Sequence, residues 1–213
     1  MRKGPEPAVL GQNCAQWTAE FCGLKSSGQT IPDSVRYRYR NPAIKAAILL
    51  EAHGKCAYCE SKIPHTSPGD IEHITPSSKC PEMAFMWVNL VLACSECNRR
   101  KLDYFNPAEP LIHPVDDDPA EHLKFLGALI FPALSSGKGF LTTRKLELNR
   151  TALLERRKDR LDAMHTLLEL WSTSTPEKKT LLAKQVLQEI QSDREYSATL
   201  NAFVKQMCPM FPS

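Results

Sequence analysis

The chain has 213 residues, of which 42% are hydrophobic and 24% are charged, and its formal net charge is +3. This length is sufficient to bury a hydrophobic core, and the ordinary composition excludes a low-complexity chain. The small net charge does not by itself indicate nucleic acid as a partner. The apolar runs, such as residues 46–50, are too short to span a membrane, and no apolar stretch of signal-peptide length follows the first residues. We therefore expect a cytoplasmic protein.

The first third of the chain contains one clear helix signal. Residues 1–35 are weakly patterned, with a short helix predicted around residues 16–24. In residues 41–54, Asn41 can cap a helix, Pro42 fits its first turn and Gly54 follows its end. The basic segment RYRYR at residues 36–40 either binds nucleic acid by charge and stacking or forms a half-buried strand.

The middle of the chain predicts the local order strand, loop, strand, helix. Residues 87–94 are a short apolar run rich in valine and leucine, which indicates a strand, and a helix is expected to begin near Cys97. Asp118 and the following Pro119 give a helix start, and residues 139–148 alternate enough to predict a strand.

From Arg150 onward the pattern is helical. A break at residues 172–175 precedes Pro176, which begins the next predicted helix. Ser192 and Glu195 have the spacing of a capping box before a final helix.

Four of the eight cysteines form two pairs with C-x2-C spacing, and the other four are scattered. Two residues between a pair allow one tight turn to direct both sulfurs at the same ion, and two such turns complete a tetrahedral Zn²⁺ site. A reducing compartment favours metal binding over disulfides. We therefore predict a closed, structural zinc site formed by Cys56, Cys59, Cys94 and Cys97. Coincidental pairs or a redox pair are the alternative.

Between the cysteine pairs lie Glu72, His73 and Asn89, and Asn98 follows the last cysteine. A neutral imidazole can take a proton from water in phosphodiester hydrolysis, and oxygen ligands suit Mg²⁺ or Mn²⁺. Neighbouring side chains on a strand point to opposite faces, so Glu72 and His73 can surround one substrate only at a strand end, which Pro76 marks. The partner strand would then carry Asn89 to orient the His73 loop, and the helix would bring Asn98 beside Glu72. Structural or capping roles for His73, Asn89 and Asn98 are the alternative.

The order C-x2-C, EHITP, NLVLAC-x2-CNRRK resembles the HNH endonucleases, whose core is a ββα-metal fold. The resemblance implies that His73 is the general base and that Asn89 orients it. It also implies that Glu72 and Asn98 bind the catalytic metal ion, Mg²⁺ or Mn²⁺. Two positions depart from the commoner pattern, because Asn98 stands in place of histidine and Glu72 in place of aspartate.

Further segments are similar to the PtuB-like HNH proteins of Septu and retron-associated antiphage systems. These segments are MRKGPEP, RYRNPAIKAAILLEAHGKCAYCE, PLIHPVDDDPAEHLKF and LELNRTALLERR, so that the resemblance covers most of residues 1–160. It implies a defence nuclease that works with a PtuA-like ATPase partner, with a retron complex as a further candidate partner.

We therefore expect an α+β fold with a zinc-stapled ββα-metal (HNH) core embedded in a mostly α-helical domain. The expected divisions are 1–54 (an N-terminal segment with a helix packed on the core), 55–103 (the nuclease core), 104–148 (a loop, helix and strand extension) and 149–213 (a helical region). The C-terminal helices are expected either to dock a partner or simply to pack on the core.

The predicted activity is metal-dependent hydrolysis of phosphodiester bonds in nucleic acid. Arg99, Arg100 and Lys101 lie one helical turn beyond the site and are predicted to contact substrate phosphates. A non-catalytic zinc module that binds nucleic acid or an ATPase would explain the cysteines and the basic residues equally well. It would not explain the order of the acidic residue, the histidine and the two asparagines. A nuclease-like subunit that has lost its activity is a third possibility.

Overall fold

The computed structural model describes residues 2–63 and 67–211, which fold into two compact units. The first unit comprises Met1–Tyr58 and Lys62–Asp118, and the second comprises Cys59–Ser61 and Pro119–Ser213. Residues 64–66 of the predicted nuclease core lie outside the described residues. Over the described ranges, no helix is both long and apolar enough to cross a bilayer. The predicted α+β class is confirmed, since helices dominate and short antiparallel strand pairs accompany them.

Helices form the first part of the first unit. They are α1 (Ala8–Ser26), α2 (Asp33–Arg36), a 3-10 turn at Arg38–Arg40 and α3 (Pro42–Glu51). Helix α3 begins as predicted, because the Asn41 Oδ1 atom accepts the Ala43 N–H at 2.9 Å. Helix α1 begins eight residues before the predicted residues 16–24 and ends two residues after them.

The basic segment at residues 36–40 is helical, so the strand considered for it is wrong. The Arg40 guanidinium lies 4.0 Å from the ring centroid of Tyr37, and the Tyr37 and Tyr39 rings meet edge to face at 6.3 Å. Such cation–π contacts are made between residues three apart on a helical turn, whereas a strand would separate them.

A strand pair followed by a helix completes the first unit. Strand β1 (Asp70–His73) pairs antiparallel with β2 (Leu90–Ala93), and α4 (Ser95–Lys101) follows directly. This confirms the predicted order strand, loop, strand, helix. Strand β2 is shorter than the predicted residues 87–94, because Trp87–Asn89 forms a 3-10 turn.

Strand β2 lies at the centre of the core of the first unit. All four of its residues are buried, which explains its continuous apolar sequence. Helix α3 packs on this strand and buries Ile44 and Ile48 completely. Nearby, the buried Phe85 ring makes edge-to-face contacts with Trp17 and Phe21 of α1, each at 5.7 Å. This packing fixes β2, which in turn positions β1.

The second unit contains one strand pair and a set of helices. Its elements are α5 (Pro119–His122), β3 (Leu123–Leu126), β4 (Leu129–Pro132), α6 (Gly137–Lys145), α7 (Thr151–Thr173), α8 (Pro176–Glu189) and α9 (Ser197–Met207). The last three helices share a core formed by Leu161, Met164, Leu168, Val186, Leu200 and Val204. The helical prediction after Arg150 and the start of a helix at Pro176 are therefore confirmed.

Residues 139–148, predicted to be a strand, mostly belong to helix α6. The Ser136 Oγ atom caps this helix by accepting the Gly139 N–H at 3.0 Å. The buried residues Gly139, Thr142 and Leu146 are spaced three and four apart, as on one face of a helix. The cap and this spacing outweigh the weak alternation of polar and apolar residues.

The predicted capping box at Ser192 and Glu195 is also wrong. Helix α9 begins at Ser197, and the Glu195 carboxylate binds Arg156 instead, with Nε and Oε2 3.1 Å apart. The first turn of α9 donates to a distant carboxylate, that of Glu60, from the Ala198 N–H at 3.2 Å. A capping partner so remote in sequence cannot be read from local spacing.

Candidate metal centre and active site

The four cysteines of the two C-x2-C pairs lie together. The sulfur atoms of Cys56, Cys59, Cys94 and Cys97 are all within 4.8 Å of one another. A tetrahedral ion with Zn–S bonds of about 2.3 Å places its sulfurs about 3.8 Å apart, so this all-thiolate set fits Zn²⁺.

Local hydrogen bonds position both cysteine pairs. Cys94 is the N-cap of α4, and its sulfur accepts the Cys97 N–H at 3.4 Å. The first pair is tied to the sheet, because the Ala57 N–H donates to the Leu92 carbonyl of β2 at 2.8 Å. The cysteine cluster is thereby attached to both the strand and the helix that carry the other candidate residues.

His73 is the last residue of β1, and one hydrogen bond sets its tautomer. Its Nε2 atom lies 2.8 Å from the Ala84 carbonyl oxygen. Because a carbonyl oxygen can only accept, Nε2 carries the proton, and Nδ1 of the neutral ring is the basic nitrogen. The Tyr39 ring meets the imidazole edge to face, with 4.6 Å between centroids, and limits its movement.

Burial lowers the pKa of His73 to about 4, because the ring loses hydration. The hydrogen bond to Ala84 raises this pKa and the nearby charge of Lys101 lowers it, but desolvation is the largest effect. The imidazole is therefore neutral at physiological pH, which is the state a general base requires.

Asn89 is almost completely buried and connects the two ends of the loop between the strands. Its Oδ1 atom accepts the Thr75 N–H at 2.7 Å, and its Nδ2 atom donates to the carbonyls of Thr75 and Met83, both at 2.9 Å. These contacts fix the backbone two residues after His73. They also fix the loop immediately before Ala84, the partner of the imidazole.

Glu72 forms a buried ion pair with Lys101. Its Oε1 atom lies 2.7 Å from the Lys101 Nζ atom, and both side chains are less than a tenth exposed. The same ammonium group donates to the His73 carbonyl at 2.9 Å. Burial raises the pKa of Glu72, while the charge of Lys101 and its hydrogen bond lower it.

The prediction that Lys101 contacts substrate phosphate does not agree with this burial. A phosphate contact needs an ammonium group at the surface, and that of Lys101 is enclosed by Glu72 and the His73 backbone. Arg99 is better exposed, with 64% of its side chain accessible, and Arg100 is 19% accessible. Both arginines bind the exposed carboxylate of Glu96 on the same helix.

Asn98 contacts Asp70, a residue absent from the predicted site. The Asn98 Nδ2 atom donates to the Asp70 Oδ2 atom at 3.0 Å. Asp70 and Glu72 are two apart on β1 and therefore point to the same face, toward α4. This alternation in the sequence DIEH is the signal that could have identified Asp70. Lys101, three residues after Asn98, could have been assigned to the same helix face.

The strand β1 and the helix α4 thus enclose a polar layer with two carboxylates. The oxygen atoms of Glu72 and Asn98 are hard donors of the kind that Mg²⁺ and Mn²⁺ prefer, so these two residues fit such an ion. In this structure Glu72 binds Lys101 and Asn98 binds Asp70.

Residues 56–103 match the family model of the HNH endonucleases. This part of the chain is similar to HNH endonuclease domains. It includes both cysteine pairs, β1, β2 and α4, and the predicted resemblance to HNH endonucleases is therefore confirmed.

The similarity to known proteins extends well beyond residues 56–103. The chain is 29% identical to Septu protein PtuB of Bacillus thuringiensis over 94% of its own length and 79% of that protein. It is 32% identical to Septu protein PtuB of Bacillus mycoides (strain KBAB4) over 56% of its length and 51% of that protein. The predicted similarity to PtuB-like proteins is confirmed as well.

Proposed function

We propose that this protein is a metal-dependent HNH endonuclease that hydrolyses phosphodiester bonds of nucleic acid. The observation that supports this most strongly is the state of His73. Its imidazole is neutral, its Nε2 atom is bound to the Ala84 carbonyl at 2.8 Å, and its Nδ1 atom is left as the base.

In the proposed reaction, His73 takes a proton from the attacking water at Nδ1. The positive charge that forms on the ring is stabilised by the Ala84 carbonyl, which accepts the Nε2–H. Asn89 holds this carbonyl and the end of the His73 strand in place, because it binds the backbone of Met83, next to Ala84, and of Thr75, two residues after His73. A Mg²⁺ or Mn²⁺ ion held by Glu72 and Asn98 would supply Lewis-acid stabilisation of the phosphate charge. Arg99 and Arg100 are proposed to bind phosphates of the substrate.

We further propose that the nuclease belongs to an antiphage defence system and is controlled by a PtuA-like ATPase in the cytoplasm. Similarity to Septu protein PtuB over 94% of the chain supports this proposal. The zinc ion would be structural, since four thiolates leave no open coordination position. The names of these relatives do not mention a retron, so a retron partner remains a prediction from the sequence.

The test is cleavage of DNA and RNA panels by the zinc-loaded protein with added Mg²⁺ or Mn²⁺, alone and with a PtuA-like ATPase. We would compare the wild type with His73→Ala and with the control His165→Ala. His165 lies on α7 with its side chain 45% exposed, so its loss should leave the rate unchanged. General-base catalysis typically contributes 10²–10⁴-fold, and we expect His73→Ala to lose about this factor.

Two results would contradict the proposal. Cleavage that survives in His73→Ala would assign the activity to another group or to a contaminant. If the wild type with its partner cleaves neither DNA nor RNA, while its zinc content is complete, a non-catalytic zinc adaptor becomes the better account.

A further inference from the structure

The contact between Asp70 and Asn98 carries information about the orientation of an amide group. Asp70 lies half-buried on β1, and its Oδ2 atom is 3.0 Å from the Asn98 Nδ2 atom. A carboxylate can only accept a hydrogen bond, so the amide atom that faces it must be the nitrogen. The amide oxygen of Asn98 therefore points away from Asp70.

This orientation matters because only the oxygen of an amide binds a hard cation. In an unrestrained asparagine, the two orientations of the amide differ only by rotation about the last side-chain bond, which is broad and nearly two-fold. The hydrogen bond from Nδ2 to Asp70 selects the orientation in which Oδ1 faces away from Asp70.

The surroundings of Asp70 suit a residue that supports a ligand. The Lys45 Nζ atom of α3 donates to the carbonyl of Gly69, the residue before Asp70, at 2.7 Å. The positive charge of Lys45 and the negative charge of Asp70 attract each other. Glu72 has its own cation, because it is paired with Lys101 at 2.7 Å. On this face of β1, the Asp70 carboxylate therefore binds Asn98 of α4, and the Glu72 carboxylate binds Lys101 of α4.

We propose that Asp70 is a positioning residue that sets the amide orientation of Asn98 and thereby the affinity of the site for a divalent cation. This inference rests on the proposed function, because it assumes that Asn98 is a metal ligand. It adds a residue that acts through Asn98 and does not itself touch the metal ion.

The test uses Mn²⁺ as the probe and measures its affinity for the zinc-loaded protein by electron paramagnetic resonance titration. We would compare the wild type with Asp70→Ala and Asp70→Asn. Residues that orient metal ligands typically contribute 10–100-fold to affinity, so Asp70→Ala should weaken Mn²⁺ binding by about that factor. Asp70→Asn keeps an oxygen that can accept from Asn98 Nδ2 and should retain most of the affinity.

A double-mutant cycle separates positioning from a general structural effect. In an Asn98→Ala background there is no amide to orient, so Asp70→Ala should cause no further loss of Mn²⁺ affinity. The control is Asp103→Ala, whose carboxylate is exposed and pairs with Lys79 at 3.3 Å. It should bind Mn²⁺ like the wild type. Zinc content and the midpoint of thermal unfolding would be measured for every variant.

Three results would overturn the inference. Wild-type affinity in Asp70→Ala would show that Asn98 needs no support. An equal loss in Asp70→Asn and Asp70→Ala would assign the effect to the charge of Asp70 or to direct ligation. Additive losses in the double variant would make Asp70 independent of Asn98.

The failure of the proposed function would give a different pattern. If Mn²⁺ binds the wild type and depends on Asp70 as described, but no nucleic acid is cleaved, the positioning role stands and the nuclease proposal fails. If the wild type binds no Mn²⁺, both are overturned.

Discussion

Two asparagines, one in each compact unit, make almost the same pair of backbone contacts. Asn89 binds both the N–H and the carbonyl of Thr75, at 2.7 and 2.9 Å. Asn149 binds both the N–H and the carbonyl of Ile130, at 2.9 and 2.7 Å. In each case a side-chain amide makes the two hydrogen bonds that a peptide group of a neighbouring strand would otherwise make.

The surroundings of the two contacts differ. Asn89 is the last residue of the long connection between β1 and β2, residues 74–89. This connection begins directly after His73 and contains Ala84, whose carbonyl binds the His73 imidazole. Asn149 supports β4, which is joined to β3 by a short turn at Gly127, where φ is +56°. The same hydrogen-bond pattern therefore serves a candidate active site in one unit and an ordinary hairpin in the other. What makes the difference is the residue that each contact holds in place.

The largest expected difference between the two strand pairs concerns zinc. We expect Cys94→Ser to lose zinc and to destabilise β1 and β2 far more than β3 and β4. Apparent binding free energies of structural zinc sites are about 10–16 kcal/mol in small zinc-finger peptides. Hydrogen exchange measured by mass spectrometry, with zinc determined in the same samples, checks this prediction. Cys22→Ser, outside the cysteine cluster, is the control, and equal exchange of both strand pairs would contradict the prediction.

Next in size is the effect of removing Lys101. Lys101→Ala leaves the Glu72 carboxylate buried without its partner, and breaking a buried ion pair in this way costs about 3–5 kcal/mol. Urea unfolding measures this change in the free energy of unfolding. Glu72→Gln in the same chain should recover part of the loss, because it removes the buried charge. Arg99→Ala, at an exposed position of the same helix, should cost less than about 0.5 kcal/mol.

The comparison of the two asparagines can be tested directly. Asn89→Ala should lower the free energy of unfolding by about 2–3 kcal/mol, because it removes a buried amide and leaves part-buried backbone groups of Thr75 and Met83 without partners. Asn149→Ala, at a half-buried position, should cost about 1–2 kcal/mol. Both are measured by urea unfolding. Only Asn89→Ala should also reduce nuclease activity, and a similar loss of activity in both variants would remove the distinction.

The smallest expected effect is the pH dependence caused by His73. Its pKa is about 4 in the folded protein, compared with 6.5 for the ordinary side chain, so the unfolded chain binds the proton first as the pH falls. Stability is therefore lost between about pH 6.5 and pH 4, and from pH 7 to about pH 5.5 the loss is on the order of 1 kcal/mol. Thermal unfolding without added Mg²⁺ or Mn²⁺ should show a weaker acid dependence in His73→Gln than in the wild type. Identical pH profiles would contradict the lowered pKa.

The sequence predicted the elements that depend on local signals. The Asn41 cap, the two C-x2-C pairs and the order of β1, β2 and α4 follow from residue type and spacing, and the structure has them. Long apolar patterns likewise predicted the helices after Arg150. Local signals failed at residues 139–148, where a serine cap and a buried face outweighed the alternation.

The missing parts of the site depend on contacts between elements. Alternation along β1 places Asp70 on the same face as Glu72, but Asp70 and Lys101 are distant in sequence from the residues they bind, and no local pattern links Asp70 to Asn98 or Lys101 to Glu72. The sequence places Lys101 beside two other basic residues, but one position along a helix changes the direction of a side chain by about 100°. The residue type alone does not show whether a lysine is exposed at the surface or buried in an ion pair, as Lys101 is.

Helix α4 is only seven residues long, yet it carries Cys97, Asn98 and Lys101, each committed to a different neighbour. Inserting or deleting one residue within it would rotate every later side chain by about 100° and move it about 1.5 Å along the axis. Asn98 and Lys101 could not then both reach β1. This segment should accept substitutions on its exposed side but no change in length, whereas the turn at Gly127 is a suitable place for an inserted tag.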